Sequence, residues 1–142
     1  MTNKDGAGII VVRKFNNEFK VLGLKANNYN DDYDIPKGTI EKNETSFECA
    51  CRETKEESNI VKLNFEWGKD YFQALGTKKA IITIYLASTV QNPLVTKNPD
   101  TGIYEHQSAE WLTFDELEKK IYYYLIPALK WARNIINTPG EI

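Results

Sequence analysis

The chain opens on a polar stretch, residues 1–5, followed by an apolar, β-branched run, AGIIVVRKF, over residues 7–15. Asn16-Asn17 breaks that run, and EFKVLGLK follows over residues 18–25. Two strand-like runs joined by Asn-Asn predict a β-hairpin, because asparagine tolerates the positive φ of a tight turn. Residues 26–33 read as a polar loop, and residues 34–38, DIPKG, as a short extended segment ending in a turn. The period then changes. Residues 45–58 predict a helix, with Thr45 and Glu48 spaced as a capping box and Asn59 suited to the left-handed position past its end. Strand-like patterning returns in VKLNFEW (61–67), DYFQAL (70–75) and AIITIYLASTV (80–90). Residues 91–102, with Pro93, Pro99 and Gly102, read as a loop, and residues 110–112 as a short strand. Thr113 and Glu116 form a second capping box that opens a helix over residues 114–124, and Pro127 starts another ending near Asn137. Irregular alternation of strands and helices predicts an α/β (α+β) fold, a mixed sheet with helices packed on it.

At 142 residues and 42% hydrophobic, the chain reads as a single domain, residues 1–142, able to bury a core without disulfides or structural zinc. Its 18 basic and 20 acidic residues give a net charge of -2, which argues against a general nucleic-acid binder. Cys49 and Cys51 would point to different helix faces, so no mutual bridge is expected. One histidine, His106, cannot assemble a His-rich zinc site. The apolar runs are too short to span a bilayer and no secretory h-region opens the chain, so a reducing, cytoplasmic compartment is the expectation, with no membrane partner.

The informative stretch is GTIEKNETSFECACRETKEESNI, residues 38–60. With ~100° per helical residue, Glu56 and Glu57 fall about 60° and about 40° to either side of Glu53. Three carboxylates share one face, while Phe47, Ala50, Cys51, Thr54 and Ser58 make a neighbouring stripe suited to burial. Like charges at this spacing repel, and acids in a last turn oppose the helix dipole, each by a few tenths of a kcal/mol. Sites where a sequence breaks its own local preferences are where function is sought. A hard divalent ion, Mg²⁺ or Mn²⁺, would turn the repulsion into coordination. A solvated acidic face neutralised by Arg52 and Lys55 is the plain alternative.

Gly38, five residues, Glu44, seven residues, then RETKEESNI from Arg52 resembles the 23-residue Nudix box. Asn59 stands where that family has glycine. The resemblance implies an αβα sandwich and metal-dependent hydrolysis of a nucleoside diphosphate linked to another group. It implies that Glu53, Glu56 and Glu57 hold metal, that Arg52 orients them and that Gly38 permits a close turn. Residues 33–38, the strand after Lys78-Lys79, and Glu105-His106-Gln107 followed by Glu110-Trp111-Leu112 are similar to the asymmetrical diadenosine tetraphosphate hydrolases of animal and archaeal type. That similarity implies a nucleotide substrate and a catalytic group of Arg52, Glu53, Glu57 and Glu105, with Glu105 at the metal and Glu57 or Glu105 activating water. Lys37, Lys78 and Lys79 would meet phosphates, His106 a phosphate or the surface, and adenine would stack between Tyr71 or Phe72 and the Tyr122–Tyr124 group. The leading expectation is Mg²⁺-dependent cleavage of diadenosine tetraphosphate to ATP and AMP by a monomer. RNA 5′ ends as substrate, without a stable nucleic-acid complex, and a non-catalytic nucleotide sensor stand as rivals.

Overall fold

The first two apolar runs become the middle of a sheet. In the computed structural model, which describes residues 4–27 and 30–138, β1 (Gly6–Phe15) and β2 (Glu18–Ala26) pair antiparallel. Asn16 turns the corner at φ 57°, the conformation asparagine tolerates better than most residues. Residues 1–3 of the polar N-terminal stretch, Asn28 and Tyr29 of the expected loop and residues 139–142 of the expected domain lie outside the described residues.

Five further strands complete the sheet among the described residues: β3 (Tyr33–Asp34), β4 (Lys37–Thr39), β5 (Tyr71–Leu75), β6 (Ile81–Ser88) and β7 (His106–Leu112). The order is β3-β2-β1-β6-β5, with β4 also beside β1 and β7 beside β2. β1 and β6 run parallel, from Gly6 opposite Ile82 to Val12 opposite Ser88, and the other pairs are antiparallel. The sheet is mixed, as the pattern predicts.

Strand alternation divides the core. Ala7, Ile9 and Val11 face α1 (Ser46–Ser58) together with Leu22, Leu24 and Tyr85. Ile10, Val12, Val21, Ile84 and Leu86 face α2 (Phe114–Glu118) and α3 (Ile126–Asn137). Each fully buried Ile or Leu contributes about 2 kcal/mol, so the sandwich is a firm platform for the loops at its edges. None of the described helices is long and apolar enough to cross a membrane.

The α1 ends form as expected. Thr45 Oγ1 accepts the Glu48 N–H at 3.1 Å, Glu48 Oε1 accepts the Thr45 N–H at 2.9 Å, and Asn59 closes the helix at φ 63°. Its buried face is Cys49, Ala50, Thr54 and Ser58, so Cys49 joins the stripe while Phe47 and Cys51 are half-buried. The Thr54 and Ser58 hydroxyls donate back to the carbonyls of Ala50 and Thr54, which removes the cost of burying them.

Four elements differ from expectation. Residues 61–67 are not a strand: the N–H groups of Val61 and Lys62 donate to the Gln91 side chain, and Asn64 alone bridges to Ser88. The helix expected over residues 114–124 stops at Glu118, because the backbone around Ile121 pairs with Tyr33 instead. Tyr33 donates to the Lys120 carbonyl at 2.9 Å and accepts from Tyr122 at 3.1 Å. The short strand at 110–112 begins already at His106, since all of β7 finds β2 as partner. Residues 34–38 do not end in a turn. Lys37, Gly38 and Thr39 form β4 against the start of β1.

Candidate active site

β4, the loop after it and α1 together build one wall of a cleft of about 1070 Å³. Glu53, Glu56, Glu57 and Glu105 all line it, as do Arg52, Lys37 and Gly38. Glycine at 38 is required by approach: a Cβ there would lie 2.1 Å from the Glu53 carboxylate. The expected close turn is replaced by a strand passing against α1 with no side chain between. The Cys49 thiol donates to the Gly38 carbonyl at 3.5 Å, tying the same strand to the helix.

Arg52 organises the acids. Its Nε and Nη2 donate to the two oxygens of Glu44 at 2.6 and 3.0 Å, a two-pronged pair. Nη1 reaches Glu53 at 3.0 Å and Glu56 at 3.2 Å, and Nη2 also donates to the Thr39 carbonyl at 3.0 Å. The Arg52 hydrogen bonds hold the Glu44 carboxyl down at about 2. Glu57 is treated differently. It accepts the Lys37 backbone N–H at 2.9 Å, yet burial, with Glu53 and Asp34 nearby, pushes its carboxyl up to about 9. Burial also raises Glu53, against the pull of Arg52 and with the help of Glu56. The cleft therefore holds more acid than its own cations neutralise. Among the described residues, no three carboxylate, imidazole or thiol groups converge into a ready-made ligand set.

Glu105 comes from the segment before β7. Leu94 N–H donates to the Ser58 carbonyl, the Thr96 hydroxyl donates to that of Glu56, and Asn98 Nδ2 donates to Glu105 Oε1 at 3.3 Å. These bonds bring a residue about fifty positions after the helix to the same cleft. His106, next along, is half-buried, and burial lowers its ring below the ordinary imidazole value against the pull of Asp34.

The lysines and aromatics are more dispersed. Lys37 Nζ lies 3.1 Å from the buried Asp34 carboxylate and 5.9 Å from the Tyr124 ring. Lys78 and Lys79 form the turn between β5 and β6, both at positive φ, and do not line the cleft. Tyr71 is exposed and meets Tyr85 edge-on on the α1 side, whereas Phe72 points the other way onto Trp131. Tyr122 and Tyr124 stack with centroids 6.4 Å apart, and Tyr123 between them is exposed. Two residues apart, they share a side because the segment is not α-helical.

Several cleft residues carry no assignment in the sequence reading: Lys4, Asp5, Lys42, Asn98 and Asp100. Lys42 lies within the motif spacing and could have been found there. Lys4 and Asp5 arrive through β1–β4 pairing, which no local pattern announces.

Residues 2–132 match the family described as NUDIX domain. The chain is 29% identical over 119 residues to the bis(5′-nucleosyl)-tetraphosphatase [asymmetrical] of Caenorhabditis elegans, covering 80% of this chain and 81% of that one. The crystal structure of a C. elegans Ap4A hydrolase binary complex superposes with a TM-score of 0.76 at 21% identity, covering 93% of this chain and 98% of that one. The NUDIX domain of Shewanella oneidensis NrtR, complexed with ADP ribose, has the same fold at a TM-score of 0.71 and 12% identity, over 96% and 91% of the two chains. With the box residues on one cleft and the match running through nearly the whole sandwich, the chain belongs to the Nudix hydrolase family.

Proposed function

We propose that the protein is a divalent-metal-dependent hydrolase of dinucleoside polyphosphates, splitting diadenosine tetraphosphate asymmetrically into ATP and AMP. The observation that carries the reading is the gathering of Glu53, Glu56, Glu57 and Glu105 on one cleft beside Arg52. The substrate class is supported by the C. elegans tetraphosphatase, alike over four-fifths of both chains.

The donors suit a hard ion such as Mg²⁺, or Mn²⁺ in its place, because every one is a carboxylate oxygen. Burial raises the Glu53 and Glu57 carboxyls, a cost that a bound cation would offset. Glu53, Glu56, Glu57 and Glu105 would hold the ion. Such an ion neutralises phosphate charge and makes water a better nucleophile.

The chain supplies the rest. Arg52 fixes Glu53 and Glu56 from one guanidinium, and β4 fixes Glu57 through the Lys37 N–H. Glu57 or Glu105 takes the proton of the attacking water. Lys37 faces the phosphates, with Lys78 and Lys79 farther out at the β5–β6 turn. Stacking groups for adenine are drawn from Tyr71, Phe72, Tyr122 and Tyr124, and His106 flanks Glu105. Phosphoanhydride cleavage asks chiefly for positioning and charge neutralisation, which such a cleft can provide.

A substrate panel with product identification in Mg²⁺ tests the reading. ATP plus AMP from diadenosine tetraphosphate, faster than turnover of ADP-ribose or 5′-triphosphorylated RNA, is the expected result. Faster release of pyrophosphate from the RNA would overturn the substrate assignment, and tight nucleotide binding with no product would overturn the enzyme itself.

A further inference from the structure

Lys37 touches the site in two ways. Its backbone N–H donates to Glu57 Oε1 at 2.9 Å, while its side chain carries a largely buried ammonium. A buried cation needs a partner, and a buried pair that loses one member leaves the other charge seeking a new one. Here the partner is Asp34. Asp34 Oδ2 lies 3.1 Å from Lys37 Nζ, and Asp34 Oδ1 accepts the Ile35 N–H at 2.8 Å, which fixes the carboxylate's orientation. The backbone of Asp34 is itself held, since it pairs with Leu24 of β2 while Tyr33 before it bonds to Lys120 and Tyr122. Tyr124 closes the far side of the ammonium.

We propose that Asp34 is a positioning residue that anchors the Lys37 ammonium away from Glu57, leaving that glutamate open to a divalent cation. The inference rests on the metal-site reading above and adds to it a residue outside the box. Without the Asp34 charge the ammonium loses its carboxylate, and Glu57, whose Oε1 already sits 2.9 Å from the Lys37 backbone nitrogen, lies within reach of the same residue's four-carbon side chain, so lysine and metal would compete for one carboxylate. A purely structural Asp34 makes a different forecast, in which its loss lowers stability and leaves the cleft's cation affinity alone.

The test uses Asp34→Asn, Asp34→Glu and the double variant Asp34→Asn/Lys37→Met, each with a thermal melt to establish folding. Mn²⁺ affinity is read by electron paramagnetic resonance, and metal-free crystal structures report the place of Lys37. The expected result for Asp34→Asn is about tenfold weaker Mn²⁺ binding, with Lys37 Nζ moved onto Glu57. Asp34→Glu keeps the charge and should recover most of the affinity. The double variant retains the backbone N–H at position 37 but has no ammonium, so it too should return to within about threefold of the parent. In turnover, Asp34→Asn should raise the Mg²⁺ concentration for half-maximal rate more than it lowers kcat. An Asp34→Asn structure with Lys37 unmoved, or a double variant as impaired as the single one, overturns the proposal. Failure of the parent protein to bind Mn²⁺ overturns the metal site instead, and the metal-free structures still decide whether Asp34 restrains Lys37.

Discussion

Two segments begin with the same device and end differently. Thr45 and Glu48 cap α1, Thr113 and Glu116 cap α2, and in each both reciprocal hydrogen bonds form. α1 then runs for 13 residues, whereas α2 stops after 5. Along α1, the buried positions Cys49, Ala50, Thr54 and Ser58 keep helical spacing against the sheet, and the distant groups that bond its backbone, Thr96 and Leu94, meet only carbonyls of the last turn. Beyond Glu118, the backbone of Lys120 and Tyr122 is claimed by Tyr33, some ninety residues away. A cap starts a helix, but the tertiary partner decides how far it runs.

The same contrast governs what could be read from the sequence. Arg52, Glu44, Glu53, Glu56 and Gly38 fall within about 18 positions of one another and interact across that span. Spacing placed the glutamates on one helix face, while the parts of Arg52 and Gly38 came from the resemblance to the family's box, with Gly38 in a strand instead of the expected turn. The acid–base partnership of Asp34 with Lys37 was also local, yet no pattern says that a lysine near a glycine is already paired. Lys78 and Lys79 resembled phosphate ligands, but the β5–β6 turn leaves them outside the cleft. In the strand expected over residues 61–67, Leu63 and Phe65 pack toward α1 as alternation asks, but Trp67, which alternation would place beside them, packs toward the other face. The segment's hydrogen bonds went to the Gln91 side chain, which periodicity cannot show.

Breaking each segment separately sharpens the comparison. Arg52→Ala should have the largest effect on stability, about 3 kcal/mol by denaturant unfolding, because Glu44, Glu53 and Glu56 lose their shared partner. Hydrogen exchange should quicken in the loop before α1 and leave the Tyr33–Ile121 pairing protected. Ile121→Ala should cost somewhat less, about 2–3 kcal/mol, since the side chain is buried against the opposite core. Its exchange pattern should be the reverse. If either variant loosened both segments equally, the division between them would fail.

Acid provides a gentler probe. The Glu44 carboxyl sits at about 2 when folded, against about 4.3 for an ordinary glutamate. A depressed carboxyl contributes stability that is present above the unfolded value and is lost as pH falls through the folded one. Stability should therefore decline from about pH 5 toward pH 2, and Glu44→Gln should flatten that decline. An unchanged acid limb in the variant would dissociate Glu44 from it. The smallest effect is expected at the helix end, where Asn59→Gly should gain about 0.5 kcal/mol by relieving φ 63°. A loss on thermal melting would mean that the asparagine does more there than turn the chain.

The central claim is that the glutamates of this cleft carry metal-dependent hydrolysis, and Glu57 tests it most directly. Glu57→Gln preserves shape, and the amide oxygen can still accept the Lys37 N–H. Turnover of diadenosine tetraphosphate at saturating Mg²⁺ should fall by about a thousandfold or more, with the melting temperature held, because an amide of the same shape replaces a buried carboxyl that burial already keeps neutral. A folded Glu57→Gln protein with near-parental turnover would contradict the account.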